Sequence, residues 1–160
     1  MTANDVRLVI QRVTRATVRS GGDVLGAIGP GAVVLAGAAA GDTPEIVDRI
    51  AAKLVGLRYF RDADGRTNID IAEAGGSFLV VSQFTLLADL RRGRRPGFTT
   101  AALPEIAEPL VARLIERLGS TGAPVASGRF GADMEVEIVN DGPFTLVLDS
   151  DRDLAAVAEA

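Results

Sequence analysis

From Val6 onward apolar and polar residues alternate, with Val6, Leu8 and Ile10 on one side and Arg7, Val9 and Gln11 on the other. That alternation predicts a strand over Val6–Val18. Gly21-Gly22-Asp23 tolerates the positive φ of a tight turn, which returns the chain into a second strand, Val24–Ile28. After Gly29-Pro30-Gly31 the alternation stops: Ala32 to Ala39 is continuously apolar, the pattern of a strand covered on both faces. Two covered faces require a layer on each side.

The period then lengthens. Asp42-Thr43-Pro44-Glu45 carries a capping oxygen, a first-turn proline and an acid for the positive dipole end, and Ile46, Ile50, Leu54 and Leu57 follow on one helical face. Asp62-Ala63-Asp64-Gly65 reads as a turn. Gly75-Gly76 closes a loop before a strand over Ser77–Leu87 with Phe78-Leu79-Val80-Val81 at its core. A second helix is predicted over Ile106–Leu118, with Pro109 in its first turn and Gly119 as its C-terminal cap. In the last third, Met134, Val136 and Ile138 alternate with Glu135 and Glu137, and Phe144–Leu148 forms another run beyond Asn140-Asp141-Gly142-Pro143. The order is strands, two strand-helix units, then strands. It predicts a single α/β domain over residues 1–149, layered helix, sheet, sheet, with 150–160 as a tail.

Composition narrows the chemistry more than the fold. The 160 residues include no histidine and no cysteine, which excludes Ser-His-Asp triads, Cys-His pairs, disulfides and the usual zinc sites. Lys53 is the one lysine, so a Schiff base has a single candidate. Catalysis must rest on hydroxyls, carboxylates, arginines, backbone dipoles or the substrate itself. A formal net charge of −4 argues against indiscriminate nucleic-acid affinity. Even so, Arg91, Arg92, Arg94 and Arg95 form a local cationic patch, either a solvated loop or a phosphate site. No apolar stretch nears the roughly 20 residues of a membrane span, and charges occur early at the N-terminus, so a cytoplasmic protein is expected. Asp62, Asp64 and Asp70 lack the closing glutamate of a calcium loop, and no metal or cofactor is expected.

Three short segments carry candidate chemistry. Ser82, Gln83 and Thr85 surround Phe84 at the end of a buried strand, which is either a plain strand end or the wall of a polar pocket. No base neighbours either hydroxyl, so neither is an activated nucleophile by its local sequence. Asn140-Asp141-Gly142-Pro143 has hairpin-turn composition, and since only about 5–6% of X-Pro bonds are cis, the residues alone imply trans. Gly128-Arg129-Phe130-Gly131 sets an aromatic beside a cation, suited to base stacking or to the core.

Taken in order and spacing, Gln11-Arg12-Val13-Thr14-Arg15-Ala16, Ser82-Gln83-Phe84-Thr85-Leu86, Arg92-Gly93-Arg94-Arg95-Pro96-Gly97-Phe98, Gly128-Arg129-Phe130 and Asn140-Asp141-Gly142-Pro143-Phe144-Thr145 resemble the D-aminoacyl-tRNA deacylases, also called D-tyrosyl-tRNA deacylases. The resemblance spans about residues 6 to 148, with the SQFTL and NxGPxT motifs intact. It implies a homodimer, with active sites at the subunit interface, that hydrolyses the ester joining a D-amino acid or mischarged glycine to the terminal adenosine of tRNA. Gly142-Pro143 would be cis and enter the partner's pocket, its carbonyls holding the substrate amino group and excluding an L side chain. Arg12 would fix that dipeptide, with Asn140 and Thr145 among the substrate-binding residues. Ser82, Gln83, Phe84 and Thr85 would form the catalytic wall, Phe130 and Met134 would receive the adenine, and the Arg91–Arg95 loop would meet tRNA phosphates. Gly97 stands where the family often has serine, Phe144 where it often has valine, and the chain runs about ten residues longer.

Residue chemistry and resemblance together favour a substrate-assisted reaction. The terminal 2′-hydroxyl would assist attack, and amides near Phe84 and Thr85 would stabilise the oxyanion. Thr85 as a covalent nucleophile is the rival mechanism. A non-catalytic tRNA-binding module and a plain interaction protein of the same fold are the rival functions.

Overall fold

One long strand organises the fold in the computed structural model, which describes residues 5–154. β1 (Arg7–Ser20) turns at Gly21-Gly22 into β2 (Asp23–Ile28), which runs antiparallel to its second half, from Ala16 opposite Ile28 to Ser20 opposite Asp23. β3 (Gly31–Gly37) pairs antiparallel with its first half. After α1 (Pro44–Gly56) come a small hairpin, β4 (Phe60–Arg61) and β5 (Thr67–Ile69), and the one-turn α2 (Ile71–Ala74). β6 (Ser77–Ser82) joins β3 in parallel, a short 3-10 helix (Phe84–Leu87) follows, and α3 (Pro104–Gly119) leads to β7 (Val125–Ser127), parallel to β6. β8 (Glu135–Asp149) pairs antiparallel with β1, and α4 (Ser150–Asp153) ends the described chain. The sheet order is β2-β1-β3-β6-β7, with β8 against β1.

Alternation along the strands feeds two cores. Leu8, Ile10, Ala32, Val34, Phe78 and Val80 pack with Ile50 and Leu54 of α1 and Leu114 of α3. The intervening Val33, Leu79 and Val81 pack instead with Val13, Ala16 and Val18, beside Met134, Val136 and Ile138 of β8. The continuously apolar run is therefore covered on both faces, as its pattern predicts.

Several elements differ from the sequence reading, each for a local reason. The capping oxygen expected at the start of α1 is the Thr43 hydroxyl, accepting from the Ile46 amide at 3.3 Å, while Asp42 accepts from the Ala39 amide at 2.6 Å. The buried stripe is Val47, Ile50, Ala51 and Leu54 rather than one through Ile46 and Leu57; Leu57 has already left the helix. The small Ala51 carries too little apolar weight to reveal that face. α3 starts at Pro104, and Pro109 lies inside it. Pro109 is exposed, so the Glu105 carbonyl it leaves without a donor is on the solvent side, which lowers the usual cost. Gly119 is the last helical residue and not the cap: Ser120 holds that place, and the Ser120 and Thr121 hydroxyls donate to the Arg117 and Leu118 carbonyls. The strand read as Ser77–Leu87 stops at Ser82, where the chain coils into the 3-10 helix.

The largest difference is β8. Asn140-Asp141-Gly142-Pro143 is not a hairpin turn, because both flanking runs pair with the same strand: Asn140 lies opposite Val13 and Thr145 opposite Gln11. β1 is long enough to receive both, so no reversal is needed. The intervening residues leave the ladder opposite Arg12. The Gly142–Pro143 bond is cis.

The two ends of the described residues are tied together. The Val6 amide donates to the Ser150 hydroxyl at 2.8 Å, and the Ser150 amide donates to the Val6 carbonyl at 2.9 Å. The first part of the expected tail is thus α4, capped by Asp149; residues 155–160 lie outside the described residues. Beside this junction sit Asp5, Asp42 and Asp149. Burial and a hydrogen bond with Asp149 push Asp5 up to about 7, and burial pushes Asp42 up to about 6. Both groups bind their proton more tightly folded than unfolded, so folding takes up protons above about pH 4. This stability is full below pH 4 and is lost as pH rises through the folded values. Asp48 acts oppositely: hydrogen bonds from Arg113 hold it down at about 2, and its contribution is lost as pH falls below about 4. The urea midpoint is therefore expected to be higher at about pH 5 than at about pH 8; a midpoint that is flat or rising over that range contradicts the assignment.

Candidate functional site

The first half of the site grows from the end of β6. Gln83 turns the chain, its amide donating to the Ala36 carbonyl at 2.7 Å, and the 3-10 helix begins at Phe84. The helix seats on Gly37, where a Cβ would lie 2.6 Å from Leu87 Cδ2 and 2.8 Å from the Gln83 carbonyl. Only glycine admits so close an approach. Phe84 and Thr85 are consequently held outward: Phe84 is 56% exposed and meets Phe98 edge-on at 5.1 Å. The Gln83 side-chain amide donates to the Thr85 hydroxyl. An amide donor cannot take a proton from that hydroxyl, so Thr85 has no base here. Among the described residues, the Phe84 and Thr85 amides donate to no backbone carbonyl outside the 3-10 helix itself, and as its first residues they have none within it.

Ser82 and Phe130 share a cavity of about 130 Å³ between β6, β7 and α3, completed by Val80, Val111, Ile115 and Ser127. Met134 is not in it. Its sulfur packs on Gly128, 2.6 Å from where a Cβ would stand, and its side chain belongs with the second core.

The second half is the excursion opposite Arg12. The Arg12 guanidinium is buried; Nη1 donates to the Tyr59 carbonyl at 2.7 Å and Nε to the Asp141 carbonyl at 3.1 Å. It also lies 4.5 Å from the centroid of the Phe144 ring. Burial, then repulsion from Arg61, lowers its pKa, and Asp141 opposes them. Asn140 brackets the loop from below: its carbonyl oxygen accepts from the Phe144 amide at 2.6 Å and its amide donates to the Phe144 carbonyl at 3.1 Å. Gly142 and Pro143 are left exposed. A Cβ on Gly142, at φ 140°, would sit 3.2 Å from Arg12 Nη2 and 3.0 Å from the Phe144 amide. Thr145 lies beyond the loop, its hydroxyl accepting from Gln11 at 3.3 Å.

Residues that sequence reading passed over complete this clamp. Arg61 pairs with the Asp141 carboxylate at 2.8 Å and holds its pKa down. Tyr59 supplies its carbonyl and stacks its ring on Phe144 at 6.3 Å. No pattern in the sequence marks either as a partner of a loop some 80 positions away. The cationic loop changes too: Arg91 is engaged by Asp89 through three hydrogen bonds. Arg92, Arg94 and Arg95 are exposed and make no ion pair among the described residues. Asp62 spends its oxygens on the Asp64 and Arg66 amides and on Asn68, and Asp70 caps α2, so both are structural.

Fold and site together define a class. A solved structure described as a probable eukaryotic D-amino acid tRNA deacylase superposes with a TM-score of 0.79 over 91% of this chain and 99% of its own, at 16% identity, so it shares the single-domain mixed-sheet α/β fold. Another, described as c-Myc DNA Unwinding Element Binding Protein, is 39% identical and superposes with a TM-score of 0.84 over 89% of this chain and 97% of its own. The chain belongs to the D-Tyr-tRNA(Tyr) deacylase family, whose profile matches residues 9–149. Relatives named D-aminoacyl-tRNA deacylase include one from Symbiobacterium thermophilum, 55% identical over 92% of this chain and 97% of its own length, and one from Opitutus terrae, 53% identical over 91% and 97%.

Proposed function

We propose that this chain is a D-aminoacyl-tRNA deacylase, hydrolysing the ester between a D-amino acid, or mischarged glycine, and the terminal adenosine of tRNA. The observation that carries the reading is the construction of residues 140–144. Arg12, Arg61 and Asn140 all hydrogen-bond to that loop, and the Tyr59 carbonyl in turn holds the Arg12 guanidinium. What it offers outward is the main chain of Gly142 and the ring of Pro143. A rigid backbone edge can accept hydrogen bonds from an α-amino group and refuse a side chain of one hand, which suits discrimination between D and L esters without any specific side chain.

The loop does not serve the Ser82–Thr85 segment of its own chain in this reading. The loop is held at Arg12 of β1, whereas the 3-10 helix is tied through the Leu86 carbonyl to Arg7, five residues and roughly 16 Å away along the strand. A homodimer with shared sites would bring the loop of one copy to the segment of the other. The helix-layer, sheet, sheet arrangement fits the two cores and leaves the loop edge of β8 for the partner. The 130 Å³ cavity behind Ser82 and Phe130 is smaller than a whole-ligand pocket and suits one planar heterocycle, the terminal adenine. Arg92, Arg94 and Arg95 would meet tRNA phosphates. No helix among the described residues is long and apolar enough to cross a membrane, and the cytoplasm, where charged tRNA is used, is the proposed location.

With Thr85 lacking a base, the reaction would be substrate-assisted. The adjacent 2′-hydroxyl directs water or shares its proton, while the Phe84 and Thr85 amides receive the developing oxyanion. The test compares D-tyrosyl-tRNA, L-tyrosyl-tRNA and a D-tyrosyl-tRNA ending in 2′-deoxyadenosine. The D ester is expected to turn over, the L ester to survive, and the deoxy ester to react about 100-fold more slowly. Equal hydrolysis of both hands sinks the selector, equal hydrolysis of the deoxy ester sinks the assistance, and tRNA binding without turnover leaves a binding module.

A further inference from the structure

Arg7 is an ordinary polar position of the first strand by its pattern, yet, like Arg12, it makes charge-assisted contacts to two distant segments, and it adds a third to its neighbour Asp5. Its Nε donates to Asp149 Oδ2 at 2.9 Å, its Nη2 to Asp5 Oδ2 at 2.7 Å and its Nη1 to the Leu86 carbonyl at 2.8 Å. Leu86 belongs to the 3-10 helix that presents Phe84 and Thr85. We infer that Arg7 is a positioning residue for hydrolysis: it grips the Leu86 carbonyl and thereby sets the direction of the Phe84 and Thr85 amides. This rests on the proposed function and goes beyond it by assigning a role to a residue outside both motifs.

At its start the 3-10 helix is fixed by the Gln83 amide on Ala36 and by contact with Gly37. Its far end is fixed by the Thr100 hydroxyl, which donates to the Leu87 carbonyl at 2.9 Å, and by Arg7. Between these two struts there is space rather than packing: a cavity of about 320 Å³ is lined by Asp5, Arg7, Leu87, Ala88, Leu90 and Thr100. The buried Leu87 side chain seats the helix on Gly37, and the two hydrogen bonds fix the direction of its last two carbonyls. The guanidinium is itself held by two carboxylates in a planar fork, so it can transmit a fixed geometry. A four-residue 3-10 helix has weak internal bonds, and a tilt of its last carbonyl moves its first amides. Misplacing a stabilising donor by about 1 Å can cost on the order of 100-fold in rate.

The open cavity also supplies the test. Arg7→Ala opens a guanidinium-sized gap that adjoins solvent. On D-tyrosyl-tRNA, kcat is expected to fall about 30-fold with KM changed less than about threefold, and guanidinium chloride at about 20 mM is expected to restore about tenfold of the loss. Arg7→Lys, which can reach only part of the fork, should fall in between. Asp48→Asn breaks the link from α1 to Arg113 and Arg117 of α3, none of which lines either cavity, and should lower stability without touching kcat or responding to guanidinium. A kcat for Arg7→Ala within twofold of the parent, or a loss that guanidinium does not restore, overturns the inference. If the parent protein itself fails to turn over D-tyrosyl-tRNA, the proposed function falls instead. Amide hydrogen exchange then decides Arg7: faster exchange confined to the segment around Phe84–Ala88 in Arg7→Lys supports it, and unchanged exchange overturns it.

Discussion

Arg12→Met is expected to leave a folded protein with at least about 100-fold lower kcat/KM on D-tyrosyl-tRNA and a melting temperature roughly 6–12 °C lower. Methionine keeps most of the buried stem and removes the guanidinium, so the change isolates the fork. Two carbonyls, of Tyr59 and Asp141, lose donors at 2.7 and 3.1 Å, and the Phe144 ring loses the cation above it. Leaving such acceptors unpaired in a site where Arg12 is 4% exposed costs about 3 kcal/mol or more. The rate should suffer about as much as the stability, a 100-fold loss being about 2.7 kcal/mol. Asn140 and Arg61 still tether the loop at its two sides, but Gly142 and Pro143 lose the one anchor that faces them across the ladder. Arg12→Lys should not recover the rate, because a single ammonium cannot address both carbonyls in the fork geometry. Urea denaturation and steady-state kinetics on the purified variants check both parts, and a kcat/KM within about threefold of the parent contradicts the clamp.

The second large effect is on folding. Gly31→Ala is expected to destabilise by about 4 kcal/mol or more, lowering the melting temperature by roughly 10 °C. A Cβ at Gly31 would lie 1.9 Å from the Ser77 carbonyl oxygen and 2.7 Å from its amide nitrogen. Those are backbone atoms of the neighbouring parallel strand, in register with Gly31 and tied to Pro30 by the Ser77 amide at 3.1 Å. Side chains can swing away from an overpacked methyl, whereas a paired backbone moves only by opening the sheet. Gly29→Ala, where an added Cβ meets nothing within 4 Å, is the matched control and should shift stability by about 0.5 kcal/mol or less. A Gly31→Ala protein melting within about 3 °C of the parent would show that the two strands can separate at low cost.

Much of the frame was legible because the relevant patterns are short. The alternation of Val6, Leu8 and Ile10, the doubly covered run at Ala32–Ala39, and the Thr43-Pro44-Glu45 start of α1 all act within a few residues. Where the reading failed most, over β8, a neighbour distant in sequence had decided. Asn140–Pro143 has the composition of a turn, and only the availability of β1 on both sides turns it into a projection from one continuous strand. The end of the helix at Ser120 depends on hydroxyls that satisfy its last carbonyls.

The site divides in the same way. The absence of histidine and cysteine, visible in the sequence, already directed the chemistry toward backbone groups and substrate. SQFTL and NxGPxT marked the two segments concerned. Of their supports, only Arg12 was marked, and only by the family resemblance: Arg7 reaches Leu86 and Arg12 reaches Asp141 across 79 and 129 positions, and neither arginine differs in its local pattern from any other on an alternating strand. By itself the sequence determined most of the long strands, the two main helices and which chemistry is excluded, since periodicity, capping and composition are local or additive properties. The tertiary structure alone decided which groups hold Gly142, Pro143, Phe84 and Thr85 in place. A hydrogen bond to a particular carbonyl depends on strand register and on burial, and both exist only once the whole chain has packed.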